Sequence, residues 1–224
     1  MPREVFQARG ILPAGTIGEL HLRSMQSEVQ KLTEVVRSHI AAGKKDEPVD
    51  VDLQLNTFRL GGKIHSLYGG QCVHFRTAKL NPKDHLRAWI EHLALCALTE
   101  SGQPETVLIG RDAVVTFRPV PSARAVLQIL CELFSEGSTR PLRFFPESGM
   151  AFVEAERSGK GDPFKKAKDK WEGMWRKNEK PRGERDDVFI ARCFDGPDAL
   201  NERFVELARL IFSPLLEHAN REEL

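Results

Sequence analysis

The sequence predicts a mixed α/β fold in which helices flank a central mixed sheet. Apolar residues recur at helical spacing over about 18–40 and 83–98, whereas residues 49–55 alternate between apolar and polar. Two short apolar runs, "TVLIG" and "AVVTFR", follow the second helix, and further helical patterns follow them. Because helical and strand patterns alternate before several helices close the chain, one sheet flanked by helices is favoured.

The first helix and the first strand each have one apolar face. In the helix, apolar residues recur at steps of four, three and four, namely Met25, Val29, Leu32 and Val36. In the strand "VDVDLQL", every second residue is apolar and turns to the same side, namely Val49, Val51, Leu53 and Leu55. Both patterns predict elements that are buried on one side.

The segment "GGKIHSLYGGQCVHFRTAKL" predicts a β-hairpin with its turn at 69–70. This turn pairs Leu67 with Cys72 and therefore places His65 opposite His74. Because side chains alternate along a strand, one face collects four residues that can carry positive charge: Lys63, His65, His74 and Arg76. We expect this hairpin at the centre of the sheet, with the two helices packed against it.

The cationic face of the hairpin lacks the ligands that magnesium needs. Mg²⁺ prefers oxygen ligands, usually carboxylates, and the hairpin offers none here. Two imidazoles suit zinc or manganese, but a third ligand is missing locally, and Lys63 and Arg76 repel a dication. Three interpretations of His65 and His74 stay open: polar residues of an ordinary sheet, a face that contacts phosphate, or a soft-metal site.

A second candidate surface is the basic segment 165–185, which is predicted to begin within a charged helix. The segment holds nine basic and four acidic residues. The residues best suited to contact DNA phosphates or to stack on bases are Lys165, Lys166, Lys168, Trp171 and Trp175. In the alternative interpretation, both tryptophans pack into the core and the lysines are simply solvated.

Two other groups of residues resemble metal sites but are better explained otherwise. His85 and His92 are seven residues apart on the second helix, whereas i,i+4 is the usual helical metal spacing, so solvent or interface positions are expected. The stretch "RGERDD" suggests a calcium or magnesium loop. A turn with an aspartate that caps a helix beginning near Val188 explains it better.

Composition narrows the possible classes of protein. The chain has 224 residues and a net charge of +1, so any nucleic-acid binding must depend on local patches. The four cysteines form no CxxC pair and no secretory segment is recognised, which favours reduced thiols in the cytoplasm. No apolar run reaches the roughly 18 residues of a membrane span. Neither a metal nor a cofactor is predicted.

The hairpin and the helix after it resemble the RecB-like branch of the PD-(D/E)XK nucleases. "HFRTAKL" is similar to the family's "DYKTGKL" motif, and "GGKIHSLY" to its "GxIDxL" segment. The resemblance places His65 at the first metal-binding Asp, His74 at the second acidic residue and Arg76 at the catalytic Lys. In "LRAWIEHLALCAL", Arg87 takes the position of a family Gln and Glu91 that of a family Tyr. The resemblance therefore implies a nuclease fold whose catalytic positions are lost.

Four longer stretches carry a second resemblance: "GILPAGTIGEL", "LNPKDHLRAWIEHLALCA", "PLRFFPESGMAFVEA" and "RGERDDVFIARCF". Together they are similar to the C-terminal part of the RecC family, the gamma subunits of exodeoxyribonuclease V (the RecBCD helicase–nuclease). RecC is several times longer, so residues 1–224 are expected to form one nuclease-like domain of a longer chain, with 164–224 as a helical extension.

This second resemblance implies a scaffold without nuclease activity. Such a scaffold contacts the helicase and nuclease subunits, beta and alpha, and guides or separates DNA strands during double-strand break repair. Two alternatives stay open. One is an active nuclease that uses His65, His74 and Glu91 with a soft metal, and the other is a protein-interaction domain that does not contact DNA.

Overall fold

A computed structural model describes residues 5–6, 9–13, 15–40, 45–99, 103–174, 182–194, 196 and 198–224. The helices are α1 (Gly15–Ile40), α2 (Pro82–Leu98), α3 (Ala123–Thr139), α4 (Pro146–Ser158), α5 (Pro163–Glu172), α6 (Val188–Cys193) and α7 (Glu202–His218). The strands are β1 (Val49–Gln54), β2 (Arg59–Ile64), β3 (Leu67–Tyr68), β4 (Gln71–Phe75), β5 (Thr106–Ile109), β6 (Ala113–Phe117) and β7 (Ala219–Glu223). The predicted mixed α/β class is confirmed. Within these ranges, no helix combines the length and the apolar character needed to cross a membrane.

A five-stranded mixed sheet with the order β3-β4-β5-β6-β7 forms the centre of the fold. Strands β4 and β5 are parallel, and the other neighbours in this sheet are antiparallel. A parallel pair needs a long crossover connection, and α2 supplies it between β4 and β5. Strands β1 and β2 form a separate antiparallel sheet of two strands.

Helices cover both faces of the five-stranded sheet because β5 is apolar on both sides. Val107 and Ile109 pack with Leu32 and Val36 of α1 on one face. Leu108 points to the other face and belongs to the larger core, to which α2, α3, α4 and α7 contribute. Since each such side chain stabilises the fold by roughly 1.5–3 kcal/mol when buried, this strand fixes both helical layers to the sheet.

The predicted hairpin is divided between the two sheets. The register of Leu67 with Cys72 is confirmed, but β3 is an edge strand, so the expected central position of the hairpin is wrong. Strand β2, just before β3 in the chain, is not part of the five-stranded sheet and pairs with β1 instead. Opposite charges favour that pairing, because Lys63 on β2 lies directly across from Asp50 on β1, with 3.0 Å between their charged groups.

The C-terminal part of the chain is more than a helical extension. Strand β7 pairs with β6 along its whole length and completes the five-stranded sheet. Phe204 and Phe212 of α7 are fully buried in the main core. The expectation of a helical extension over 164–224 is therefore corrected, because this segment supplies a strand of the sheet and part of the core.

Candidate nuclease-like site

The residues at the nuclease motif positions are spread over three parts of the fold. His74 and Arg76 lie on and just after β4, and Arg87 and Glu91 lie on α2. His65 lies in the break between β2 and β3 and is exposed. The predicted pair of His65 with His74 does not appear among the paired strand residues, because the chain changes sheets at this point.

His74 contacts Glu91 of α2. The Nε2 atom of His74 lies 3.3 Å from a carboxylate oxygen of Glu91 and 3.4 Å from Sγ of Cys72. Cys72 is fully buried, whereas His74 and Glu91 retain 14% and 27% of their side-chain exposure. Glu91 was named with His65 and His74 in the alternative of a soft-metal nuclease, and the structure brings His74 and Glu91 together because α2 lies beside β4. Arg87 extends into solvent, with its Nε 4.0 Å from Glu91.

Arg76 is occupied by an ion pair at the start of α2. Its Nη1 donates to Oδ2 of Asp84, and the same oxygen accepts the backbone N–H of Asn81 at 2.9 Å. The Asn81 side chain in turn accepts the backbone N–H groups of Lys83 and Asp84, which completes a capping box. Arg76 thus links the end of β4 to the first turn of α2.

Three of the four residues of the predicted cationic face contact carboxylates. Lys63 contacts Asp50, His74 contacts Glu91, and Arg76 contacts Asp84. The partner of Lys63 lies on β1, because β2 belongs to a different sheet from β4. The partners of His74 and Arg76 both lie on α2. A phosphate that approached this region would compete with carboxylates already in place.

The basic helix α5 keeps its lysines at the surface. Lys165, Lys166 and Lys168 are exposed, and Lys168 lies 3.9 Å from Glu172 on the same helix. Asp162 caps this helix by accepting the backbone N–H groups of residues 164 and 165. The lysines therefore remain candidates for contact with phosphate.

Trp171 does not remain a candidate for base stacking. Its side chain is 8% exposed, and its ring centroid lies 4.4 Å from that of Phe145 in the core. The prediction for Trp171 is corrected for this reason: the apolar face of α5 is turned inward, and the tryptophan lies on that face. Trp175 lies outside the described residues.

The two histidines of α2 are buried, so the expectation of solvent or interface positions is wrong. Nδ1 of His92 lies 3.0 Å from the hydroxyl of Thr106, and its Nε2 lies 2.9 Å from the carbonyl oxygen of Arg118. A neutral His92 ring satisfies both partners: Nδ1 accepts the hydrogen bond from the Thr106 hydroxyl, and Nε2–H donates to the Arg118 carbonyl oxygen. Burial lowers the pKa of His92 and the pKa of His85 to about 4.

The acidic residues of "RGERDD" act as helix caps. As predicted, Asp187 caps the helix that begins at Val188, by accepting the N–H groups of residues 189 and 190. Glu184 has a role that the sequence did not indicate. Its carboxylate accepts the backbone N–H groups of Glu147 and Ser148 and the Ser148 hydroxyl, at 2.6–2.9 Å. It therefore satisfies the N-terminus of α4, and burial raises its pKa.

Comparison with known proteins identifies the family. The profile of the RecC C-terminal domain matches residues 2–157. The chain is 27% identical over 221 residues to the protein named RecBCD enzyme subunit RecC from Escherichia coli, covering 94% of this chain and 19% of that protein. It is 31% identical over 170 residues to the protein of the same name from Mycobacterium tuberculosis, covering 73% of this chain and 15% of that protein. The chain thus spans about a fifth of the length of these relatives or less. On the match over residues 2–157, this chain belongs to the RecC C-terminal domain family.

Proposed function

We propose that this chain is a non-catalytic, nuclease-like module of a RecBCD-type helicase–nuclease, which acts on DNA in the cytoplasm during double-strand break repair. The observation that supports this most strongly is the chemistry at the motif positions. His74 contacts Glu91, Arg76 contacts Asp84, and His65 is exposed. Metal-dependent cleavage by two ions needs several carboxylate oxygens and a free cation beside the scissile phosphate.

A scaffolding role is supported by the apolar surface of α1. Ile17, Leu20, Met25 and Val29 are between 55% and 63% exposed, although the same helix buries Leu32 and Val36 against the sheet. Exposed apolar residues that continue a buried stripe are typical of surfaces that contact another protein. Family membership favours the beta and alpha subunits of the helicase–nuclease as the partners.

DNA guidance in this proposal depends on Lys165, Lys166 and Lys168. With Trp171 in the core, α5 offers positive charge without the predicted tryptophan platform. Binding through phosphate contacts alone is weak and does not depend on base sequence, with typical Kd values of about 10⁻⁴–10⁻⁶ M. The affinity of such contacts also falls steeply as salt is added.

The proposal is tested by fluorescence anisotropy with labelled single-stranded DNA at several salt concentrations. We expect weak binding whose logarithm falls linearly with the logarithm of salt concentration, and a lower slope when Lys165, Lys166 and Lys168 are all replaced by Gln. A triple variant of exposed lysines outside α5, Lys31→Gln with Lys79→Gln and Lys83→Gln, removes the same charge and serves as the control. Binding that is equally affected by both variants would remove α5 from the proposal.

The second arm of the test measures association with partner subunits. We expect the chain to co-purify with the beta and alpha subunits when the three are expressed together. Replacing Met25 and Val29 by Asp should weaken this association without unfolding the chain, because both side chains are exposed. Equal association of the subunits with this variant and with the wild-type chain would contradict the proposed scaffold role. DNA binding that changes neither with salt nor with the lysine substitutions would contradict the proposed guiding role.

A further inference from the structure

Cys72, His74 and Glu91 bring three different ligand types together in the described part of the chain. One donor atom from each residue lies within 4.8 Å of the other two. Cys72 and His74 are two residues apart on β4 and therefore project from the same side of that strand, and Glu91 approaches from α2. Secondary structure on both sides thus holds the three side chains in position.

Two of the three distances between ligand atoms match those that a tetrahedral zinc ion imposes, and the third, between Cys72 and Glu91, is at most 4.8 Å. Zn–S bonds are about 2.3 Å and Zn–N and Zn–O bonds about 2.0–2.2 Å, so tetrahedral angles separate the ligand atoms by roughly 3.3–3.6 Å. Nε2 of His74 lies 3.4 Å from Sγ of Cys72 and 3.3 Å from the Glu91 oxygen. Little movement would be needed to place an ion between them.

Hydrogen bonding accounts for part of this arrangement, because the Cys72 thiol also has Thr106 as a hydrogen-bond partner. Nε2 of an imidazole carries either one proton or one lone pair, so it makes one good hydrogen bond. Here the same atom is in contact with both the Cys72 sulfur and the Glu91 carboxylate. A metal ion satisfies all three groups at once, because each of them donates a lone pair to it.

We propose that Cys72, His74 and Glu91 bind one zinc-type dication, with a water molecule as the fourth ligand. On binding, the Cys72 thiol loses its proton to solvent and coordinates as a thiolate. The thiolate and the Glu91 carboxylate then balance the two positive charges of the ion, while His74 coordinates as a neutral imidazole. Without an ion, burial and the nearby Glu91 carboxylate raise the pKa of Cys72 to about 12, so the thiol stays protonated.

The proposed ion differs in its ligands from the magnesium ions of a nuclease. A thiolate and an imidazole select zinc or a similar transition metal, whereas magnesium needs oxygen ligands. The partly exposed His74 and Glu91 leave a route for the ion and the water from solvent. Because the ligands come from β4 and α2, the bound ion would join the strand to the helix that follows it. This inference goes beyond the proposed function and does not depend on it.

The test uses the complete 224-residue chain without a histidine tag, first freed of metal with a chelator. Cobalt(II) is the probe, because its bond to a thiolate gives an absorption band in the near ultraviolet. We expect this band to saturate at one ion per chain and to disappear when zinc is added. Cys72→Ser should abolish it, whereas Cys96→Ser, which alters a half-buried thiol of α2, should retain it.

Zinc affinity is then measured by competition with a coloured chelator. We expect Glu91→Gln to weaken zinc binding at least tenfold, and its partly exposed position makes it a suitable test if Cys72→Ser does not fold. Circular dichroism of each variant establishes that the fold is retained. Absence of a saturable cobalt band in the wild-type chain, or unchanged zinc affinity in folded Glu91→Gln, would overturn the proposal. Neither measurement involves DNA, so both outcomes are separate from the proposed function.

Discussion

Arg76, at the end of β4, forms an ion pair with Asp84, the residue that closes the capping box of α2. Arg76, which the resemblance to PD-(D/E)XK nucleases places at their catalytic lysine, therefore holds a helix to a strand. Its guanidinium donates to an oxygen that also accepts the N–H of Asn81. A cation tied in this way is not free to stabilise charge on a phosphate, which connects the local fold to the proposed loss of activity.

Replacing Arg76 should destabilise the fold. We expect Arg76→Ala to lower the free energy of unfolding by about 1–2 kcal/mol, because a hydrogen bond to a charged group contributes roughly 1.5–3 kcal/mol and this one is partly screened by solvent. Urea denaturation measures the change. Arg87→Ala, on a side chain that is 82% exposed, is the control and should change the value by about 0.5 kcal/mol or less. Equal effects of the two substitutions would contradict the structural role of Arg76.

The buried histidines should make stability depend on pH. In the folded chain the pKa values of His85 and His92 are about 4, against about 6.5 for an unfolded histidine. The unfolded chain therefore binds more protons, and stability that is complete above pH 6.5 is lost as the pH falls toward 4. Each histidine contributes about 3 kcal/mol to this loss, since one pKa unit corresponds to about 1.36 kcal/mol.

Urea denaturation between pH 7.5 and 4.5 measures this loss. Replacement of His92 by Gln should flatten the dependence, although it also lowers stability at neutral pH by disturbing the contacts with Thr106 and Arg118. His21→Gln alters an exposed histidine and should leave the pH dependence unchanged. If the free energy of unfolding changes with pH equally in the wild-type chain, His92→Gln and His21→Gln, the buried histidines do not cause the pH dependence.

Glu184 should contribute more to the stability of the fold than an ordinary exposed helix cap does. Glu184→Ala removes the acceptor for two N–H groups and the Ser148 hydroxyl, and Ser148 is fully buried. Unsatisfied buried groups cost about 1–3 kcal/mol, so we expect a loss of stability in that range. Asp187→Ala, which removes the cap of the exposed helix α6, should cost about 1 kcal/mol or less. Thermal denaturation of the two variants compares them, and a larger effect at Asp187 would contradict this assignment.

Elements whose pattern reflects local burial could be predicted from the sequence. The apolar stripe predicted the position of α1, although only Leu32 and Val36 of that stripe are buried and Met25 and Val29 are exposed. The Gly-Gly turn predicted the register of Leu67 with Cys72. Strand β7 was missed because its residues are polar and largely exposed, and it is held by backbone pairing with β6. Helix α4 begins at a proline, a common first residue of helices, but no side chain before it caps its N-terminus, and Glu184, far along the chain, does so instead.

The candidate site was harder to predict than the fold because its contacts join distant elements. Glu91 reaches His74 because α2 crosses over β4, and no spacing along the sequence shows that. His92 is buried through partners on β5 and just after β6, so its surroundings depend on the packed sheet. Trp171 was ambiguous because one helix carries both exposed lysines and a buried face. Pattern alone could not decide which face the lone tryptophan joins.

Magnesium should not bind at the motif positions. Glu91 is the carboxylate that contacts His74, and its neighbours there are a thiol and an imidazole, which are poor ligands for Mg²⁺. Isothermal titration with magnesium should therefore show no specific heat of binding, either in the wild-type chain or in His65→Ala with His74→Ala. Stoichiometric magnesium binding that disappears in this double variant would show that the site is misassigned.

The proposed absence of nuclease activity is tested most directly by a DNA cleavage assay with the purified chain. Labelled single-stranded and double-stranded DNA are incubated with the wild-type chain in magnesium or manganese, and Glu91→Gln and His65→Ala are assayed in parallel to identify contaminating nucleases. We predict that DNA stays intact in every reaction. Arg76 forms an ion pair with Asp84, and the motif positions lack the set of carboxylates that holds two metal ions. Cleavage by the wild-type chain that is abolished in Glu91→Gln or in His65→Ala would contradict it.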